Sequence, residues 1–198
     1  MLKGIHLTLV IGGQPVPRQV AEALTSVQVT HTAGQRSGFQ LGFAMSREGL
    51  IAKSLLPSGF FDPVTTRVQI VVTMNGTPNV IMDGLIARHE VAPSGEPGQS
   101  ALTVTGEDLS LAMDLLDLTG LPYPAMPAEA RVLFAVGKYA FLGLVPLIIP
   151  SVFIDVPVPT DKIPTHAGTD LAYVKSLAAQ VGYVFYVEPG PSLGMSTA

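Results

Sequence analysis

The first half of the chain repeats one pattern, in which a short run of alternating apolar and polar residues ends at a pair of residues suited to a tight turn. Ile5–Ile11 alternates in this way and meets Gly12-Gly13, and a later run stops at Asn75-Gly76. Alternation with a period of two places one set of side chains on a single face of a strand. Both dipeptides accept the positive φ of a hairpin turn. The pattern therefore predicts consecutive antiparallel strands joined by hairpins.

Six strands are predicted before residue 106. In the third strand, Phe39, Leu41 and Phe43 project to one face, which is therefore expected to be buried. A loop rich in Pro, Gly and Ser, residues 92–100, separates the last two strands. The six segments are residues 5–11, 24–34, 39–44, 68–74, 80–89 and 101–105. Short strands joined by turns indicate a small barrel or sandwich.

The period of the pattern changes after residue 105. A helix is predicted from residue 106 to 120, with Glu107 and Asp108 in its first turn, where the helix dipole favours acids. A second helix is predicted over residues 128–140, with Pro127 at its first position. The residues expected to be buried are Leu109, Ala112, Met113 and Leu116 in the first helix and Val132, Leu133, Val136 and Tyr139 in the second.

The clearest local signal is a helix, a glycine and a strand in succession. Thr169 is a suitable cap for a helix over residues 170–181, and Gly182 stands where a left-handed residue ends it. Residues 183–187 are aromatic and β-branched, which is typical of a strand. The expected apolar face of the helix consists of Leu171, Val174, Leu177, Ala178 and Val181. The second half is therefore predicted to be α+β, with a helix packed on a sheet.

Composition limits the partners that the chain can have. Only 13% of its residues are charged, and its mean hydropathy is +0.43, so we expect apolar surface to be buried against other chains. The net charge is −4 and no cluster of Lys or Arg occurs, so nucleic-acid binding is not expected. The chain has no Cys, which excludes disulfides, thiolate nucleophiles and the usual structural zinc sites.

An apolar run at residues 141–154 is the one segment that resembles a membrane span. A spanning helix needs about 20 residues, and Pro146 and Pro150 would break a helix in this run. We therefore expect no stable membrane insertion. The N-terminal sequence MLKGIHLTLVIGG lacks a long apolar region and a small-residue cleavage site, so no secretory signal is expected either.

No catalytic, cofactor-binding or metal-binding residue is predicted. The acids Glu107 and Asp108, and Asp114 and Asp117, are expected at helix ends or on solvent-facing surface. Nucleophile-elbow and phosphate-binding glycine motifs do not occur. Thr169 and Asp170, next to a histidine, are better explained as the start of a helix. The four histidines stand singly and are expected to be surface or hydrogen-bonded residues: His6, His31, His89 and His166.

Several segments resemble one family in the order in which they occur. TDLAYVKSLAAQVGYVFYVEPG at residues 169–190 is similar to a segment of phage late control protein D and related baseplate hub proteins. VTGEDLSLAMDLL at residues 104–116 resembles that family's entry from a strand into a helix, and KYAFLGLVP at residues 138–146 resembles its helix followed by a turn. Val16-Pro17 and the run at residues 38–43 fit the family's N-terminal order.

The resemblance implies a homotrimer whose subunits each have two barrel-like tail-hub domains, with short helices packed on the second. The domains would span residues 1–105 and 106–198. A ring of this kind adapts the tail tube to the central spike, in the baseplate of a virion or of an extracellular or cytoplasmic contractile particle. The implied partners are the tail tube protein, the spike protein and a baseplate wedge or LysM-type adaptor. The family contributes no catalytic residue here, and no cofactor is expected.

Family members continue past the aromatic strand, so the resemblance predicts a second domain that is incomplete within residues 106–198. Two other functions remain open at this point. One is a tail-tip enzyme that degrades cell walls, for which Asp108 or His166 would be tested. The other is a carbohydrate-binding β module that uses aromatic side chains, although alternating Phe residues more often fill a core. The aromatic residues concerned are Phe39, Phe43, Tyr183, Phe185 and Tyr186.

Overall fold

Seven strands form one antiparallel sheet that curls into a half-barrel in the computed structural model, which describes residues 4–32, 34–93, 99–151, 157–160, 163–191 and 194–198. The strands are β1 Ile5–Ile11, β2 Gln14–Pro15, β3 Leu24–Thr30, β4 Gly38–Ser46, β5 Arg67–Met74, β6 Thr77–Pro93 and β7 Gln99–Asp108. Their order across the sheet is β2-β1-β5-β6-β7-β4-β3. The predicted succession of strands is confirmed, and the fold is α+β and rich in strands. Residues 94–98 of the predicted loop and residues 152–154 of the apolar run lie outside the described residues.

Both predicted hairpin turns are present. Gly12 and Gly13 have φ of 60° and 80° between β1 and β2, and Asn75 and Gly76 have φ of 53° and 87° between β5 and β6. Two successive residues with positive φ match the right-handed twist of the flanking strands, which explains why these dipeptides fix the hairpins.

The half-barrel encloses the larger of the hydrophobic cores. Phe39, Leu41 and Phe43 of β4 are buried, as their spacing predicted. Helix α1, Arg18–Ala23, contributes Val20 to the same core. A single turn of π-helix at Ile51–Leu55 adds Ile51 to this core as well. The apolar side chains that alternate along the strands therefore face one common hydrophobic core.

The C-terminal half packs two helices and a small sheet around a second core. Leu109, Val136, Leu144 and Leu171 are among its buried residues. The elements are a 3-10 helix at Leu109–Asp114, helices α2 Ala128–Gly137 and α3 Asp170–Gln180, and strands β8 Leu144–Val145, β9 Glu188–Pro189 and β10 Ser196–Thr197. The small sheet has the order β8-β10-β9.

The first predicted helix is wrong in extent and type. Strand β7 continues to Asp108, and only six residues, Leu109–Asp114, are helical, as a 3-10 helix. The Asp108 carboxylate accepts a hydrogen bond from the Ser110 N–H, so it caps a helix that begins three residues later than expected. Leu109, Ala112 and Met113 are buried as predicted, whereas Leu116 lies beyond the helix and is 65% exposed.

The second predicted helix is confirmed with a different buried face. Helix α2 ends at Gly137, and a 3-10 turn at Ala140–Leu142 follows it. Val136 is buried as expected, but Leu133 is exposed and Ala135 is buried instead. Ala135 and Val136 belong to the second core, so the buried face of α2 is rotated away from Leu133.

The third predicted helix is confirmed, and the strand after it is not. Thr169 caps α3 by accepting a hydrogen bond from the Ala172 N–H, and Gly182 has φ of 74°. Residues 183–187 belong to neither sheet, and only Glu188–Pro189 is paired. Phe185 and Val187 are nevertheless buried, so side chains of this segment alternate as in a strand. The composition of residues 183–187 was therefore not enough to predict that they pair with another strand.

Candidate functional site

An apolar groove lies on the surface of the C-terminal half. Val132 of α2 and Val174 and Leu177 of α3 form part of its floor, and residues 147–149 and 183–186 line it from two sides. Its volume is about 540 Å³, within the range of roughly 300–1,000 Å³ found for binding pockets. Large apolar side chains exposed to solvent in one patch are typical of contact surfaces. We therefore regard the groove as the candidate functional site.

Several of the groove's side chains are unusually exposed for apolar residues. Leu147 and Ile149 are 75% and 73% exposed, and Val184 is 63% exposed. The Tyr183 hydroxyl donates a hydrogen bond to the Pro150 carbonyl, which links the two sides of the groove. The charged residues in its lining are Glu129 and Glu188, and no Lys or Arg is among the described lining residues. The groove is therefore an apolar surface bordered by negative charge.

A buried polar cluster lies beside the groove, where α3 begins. His166 is 1% exposed, its Nδ1 is hydrogen-bonded to the Tyr123 hydroxyl at 2.8 Å, and its ring lies 4.2 Å from the ring of Tyr173. The Tyr173 hydroxyl accepts a hydrogen bond from Arg131 of α2. The cluster thus joins α2, α3 and the loop segments on either side of them.

Asp170 is the acid of this cluster, and it is also buried. Its carboxylate accepts hydrogen bonds from Lys138 Nζ at 2.7 Å and from the Tyr139 hydroxyl at 2.8 Å. Burial and the bond to Asp170 raise the pKa of Tyr139 well above its ordinary value. His166 Nε2 is 3.6 Å from Asp170 Oδ1 and has no hydrogen-bond partner in the described part of the chain.

The burial of His166 and Asp170 limits the chemistry that they can perform. His166 and Asp170 are each 1% exposed, so no substrate reaches them from solvent. Burial, and then the nearby Tyr173 and Asp170, raise the pKa of Tyr123 against the opposing charge of Arg131, so this phenol stays protonated at neutral pH. Among the described residues, no three potential metal ligands come together. The cluster therefore holds elements in place, and the histidine is buried and hydrogen-bonded, one of the two environments expected from the sequence.

A second buried network joins the small sheet to the half-barrel. The Asp83 side chain of β6 is fully buried and accepts two hydrogen bonds from Arg67, at 2.6 and 2.5 Å. It also accepts hydrogen bonds from Gln69 and from the Ser196 hydroxyl of β10. Arg67 donates a further hydrogen bond to the Leu142 carbonyl. A buried carboxylate is stable only when its charge is paired and its oxygens accept hydrogen bonds, and the Asp83 carboxylate meets both conditions.

A third network joins the two halves at their surface. Arg36, between β3 and β4, forms ion pairs with Glu107 of β7 and with Asp114 of the 3-10 helix. Asp114 also accepts a hydrogen bond from the Thr169 hydroxyl at 2.7 Å. That hydrogen bond, and then the charge of Arg36, lower the pKa of Asp114 against the opposing effect of burial. These acids, expected at helix ends or on solvent-facing surface, are partly exposed and paired, and Asp114 is the last residue of the 3-10 helix.

The lowered pKa of Asp114 gives a prediction for stability in acid. Because the folded pKa is below the unfolded value of about 3.9, the stabilisation is fully present above that pH and is lost as the pH falls through the folded pKa. We expect Asp114→Asn to unfold at lower urea concentration than the wild type at pH 6, with a difference that shrinks below about pH 4. Thr169→Val is expected to show the same trend, since it removes the hydroxyl donor. A difference that grows in acid would contradict this account.

The remaining histidines and aromatic residues are placed as follows. His6 is exposed on β1, and His89 is hydrogen-bonded to the Phe61 carbonyl. His31 is hydrogen-bonded to the Ser37 hydroxyl and to the Ile81 carbonyl. The structure therefore brings none of the four histidines together. Phe39 and Phe43 lie in the first core, so neither ring is available to stack on a sugar.

Comparisons with known proteins give matches in structure only. No family model matches the chain, and no curated protein matches its sequence. A tail protein from Neisseria meningitidis has a TM-score of 0.59 and 15% identity over 98% of this chain. The 43 kDa tail protein of prophage MuSo2 from Shewanella oneidensis has a TM-score of 0.58 and 11% identity over 98%. An Escherichia coli component of the type VI secretion system, described as structurally similar to the T4 bacteriophage tail proteins gp27 and gp5, has a TM-score of 0.59 and 12% identity over 96%.

These similarities define the fold of the chain. The chain spans about half the length of each of these proteins, 50%, 53% and 47% respectively. The fold is therefore shared with part of two tail proteins, one of them from a prophage, and of a type VI secretion component. Among the described residues, no helix has both the length and the apolar character needed to cross a membrane.

Proposed function

We propose that the chain is a structural baseplate hub subunit of a phage tail or phage-tail-like contractile injection particle, and that it adapts the tail tube to the central spike. The observation that carries this proposal is the shared fold over 96–98% of the chain with three proteins from tails or a type VI secretion system. The segments at residues 104–116, 138–146 and 169–190, which resemble late control protein D hubs in their order, favour the same role.

The proposed subunit has two barrel-like hub domains, residues 1–105 and 106–198, and assembles as a homotrimer. The sequence ranges of the two hydrophobic cores support this division. The first core draws its buried residues from residue 9 to residue 104, and nearly all of the second core comes from residue 109 onward, with Leu85 the exception. The polar contacts through Asp83 and Arg36 then hold the two units in register.

The proposed partners are the tail tube protein, the spike protein and a baseplate wedge or LysM-type adaptor, with the particle's baseplate as its location. Exposed apolar side chains around the groove support a role in subunit contacts. We propose that the chain is not an enzyme, because its convergent ionisable groups lie in the interior, where they bond to each other. The exposed apolar groove and the edges of the sheet are surfaces through which such a subunit would contact its partners.

Deletion of the gene in the strain that encodes it tests the proposed role. We expect particles without the chain to lack assembled baseplates in negative-stain images, and a plasmid copy of the wild-type gene to restore them. As a matched control, a copy carrying Glu90→Gln is expected to restore them as well, since Glu90 is exposed and its ion pair is with exposed Arg88. Complete baseplates in the deletion strain would overturn the proposal.

A further inference from the structure

Residues 184–187 form a hydrogen-bonding edge that is open as far as the described residues go. They have the aromatic and β-branched composition of a strand, and their side chains alternate between buried and exposed. Their backbone N–H and C=O groups nevertheless make no hydrogen bond within the described part of the chain. The outward side chains, Val184 and Tyr186, are 63% and 53% exposed and line the apolar groove. An unpaired strand with an apolar border is a template for another strand.

A second open edge lies at the start of β1. Strand β2 pairs with β1 only at Val10 and Ile11, so no strand in the described ranges lies beside the outer side of β1 before Val10. The Leu9 carbonyl accepts a hydrogen bond from the Val16 N–H on that outer side. Because backbone groups alternate in direction along an antiparallel strand, those of Ile5 and Leu7 point outward too. Ile5 and Leu7 also carry exposed apolar side chains.

We propose that these two edges bind each other between copies of this chain: β1 of one copy, at Ile5 and Leu7, adds as a strand to residues 184–187 of the next copy. The exposed side chains of Ile5 and Leu7 would then cover Val184 and Tyr186. Each edge thereby gains the main-chain hydrogen bonds that it lacks, and both apolar stripes leave water. The inference rests on the homotrimer in the proposed function and names the surfaces that form it.

The other end of the half-barrel sheet is a poorer match. The outer edge of β3 carries exposed Thr25, Ser26 and Gln28, which offer no apolar side chain to the groove. The residues of β1 between Ile5 and Ile11 carry no carboxylate, so β1 approaches Glu129 and Glu188 at the groove without repulsion. The chemistry of the edges therefore selects β1.

This contact joins copies in a row, which the proposed homotrimer would close into a ring. The two edges lie in different halves of the chain, so the contact is head-to-tail and leaves one edge of each kind free in a dimer. A head-to-tail contact closes into a ring where the rotation between copies allows it and otherwise extends as a filament, and in the ring of the proposed homotrimer every open edge is paired. A ring of copies is also what a tube adaptor requires.

Cysteine crosslinking tests the contact directly, because the chain has no Cys of its own. Chains carrying Leu7→Cys and Val184→Cys, with purification tags of different size, are mixed and oxidised, and Ile5→Cys is used in parallel to allow for register. We expect disulfide-linked heterodimers from these mixtures, since opposed strand residues lie within disulfide reach. The matched control, Gln28→Cys on the β3 edge mixed with Val184→Cys, is expected to give none.

Each other outcome contradicts the contact. Homodimers of Leu7→Cys alone would show a symmetric β1 pairing, and a product with Gln28→Cys would show that β3 is the docking edge. If the purified chain gives no crosslink and has the mass of a monomer in light scattering, copies of the chain do not bind each other at the groove. The groove would then bind a different protein or a small ligand.

Charged substitutions give a second readout that separates this inference from the proposed function. Ile5→Lys is expected to reduce the oligomer mass in light scattering to that of a monomer, whereas Thr8→Lys, on the other face of β1, should leave it unchanged. Circular dichroism checks that both variants are folded. If Ile5→Lys still restores baseplates in the deletion strain and stays oligomeric, the edge contact is wrong while the structural role stands.

Discussion

Replacing Asp83 with alanine is expected to lower the free energy of unfolding by about 3–5 kcal/mol, the usual cost of removing one partner of a buried ion pair. The change leaves Arg67, whose side chain is only 20% exposed, without its carboxylate, and it leaves Gln69 and Ser196 without an acceptor. Because Ser196 belongs to the small sheet, the attachment of that sheet to the half-barrel is weakened as well. Urea unfolding followed by circular dichroism measures the effect.

Glu90→Ala is the control for the loss of a carboxylate. Glu90 is 60% exposed and pairs with Arg88, which is also exposed, so we expect a change of at most about 1 kcal/mol. A loss of less than about 1 kcal/mol for Asp83→Ala would show that this network does not hold the two halves together.

Replacing Phe43 with alanine is expected to cost a similar amount, about 3–5 kcal/mol, for a different reason. Phe43 is 1% exposed in the first core, and its ring centre is 5.7 Å from that of Phe61. Removal of the ring leaves a cavity among strands that cannot easily move together, because they are joined by their hydrogen bonds. The same urea experiment measures the change.

Phe141→Ala provides a matched control for the loss of a phenyl ring. Phe141 is 79% exposed, so its removal is expected to change the free energy of unfolding by no more than about 0.5 kcal/mol. Equal losses for the two variants would contradict the assignment of Phe43 to the interior.

The strands and hairpins could be predicted because their signals are local. Gly12-Gly13 and Asn75-Gly76 fix turns through their own φ values, and the alternation of Phe39, Leu41 and Phe43 identifies a buried face without knowledge of its partner. The cap and end of α3 at Thr169 and Gly182 were predictable for the same reason.

Other features depend on contacts between distant parts of the chain. Residues 106–108 remain in β7 because they pair with β4 and β6, and this pairing outweighs the helical period of the sequence. Asp83 and Ser196 are 113 positions apart in the sequence, so no local pattern predicts their hydrogen bond. The clustering of His166 with Tyr123 and Tyr173 is missed for the same reason.

The candidate site was only partly visible in the sequence. The low charge and high mean hydropathy predicted an apolar contact surface, but they did not indicate which residues form it. The aromatic composition of residues 183–187 indicated a strand, but among the described residues no strand pairs with this segment. Composition indicates what a segment prefers, while pairing depends on which other strands are within reach.

The central claim, that this fold serves as a structural hub between tail tube and spike, is tested most directly by cryo-electron microscopy of the intact particle. The account predicts three copies of the chain in a ring at the junction of tube and spike, with β1 of each copy next to residues 184–187 of its neighbour. Density for the chain elsewhere in the particle, or its absence from purified particles that are complete and active, would contradict it.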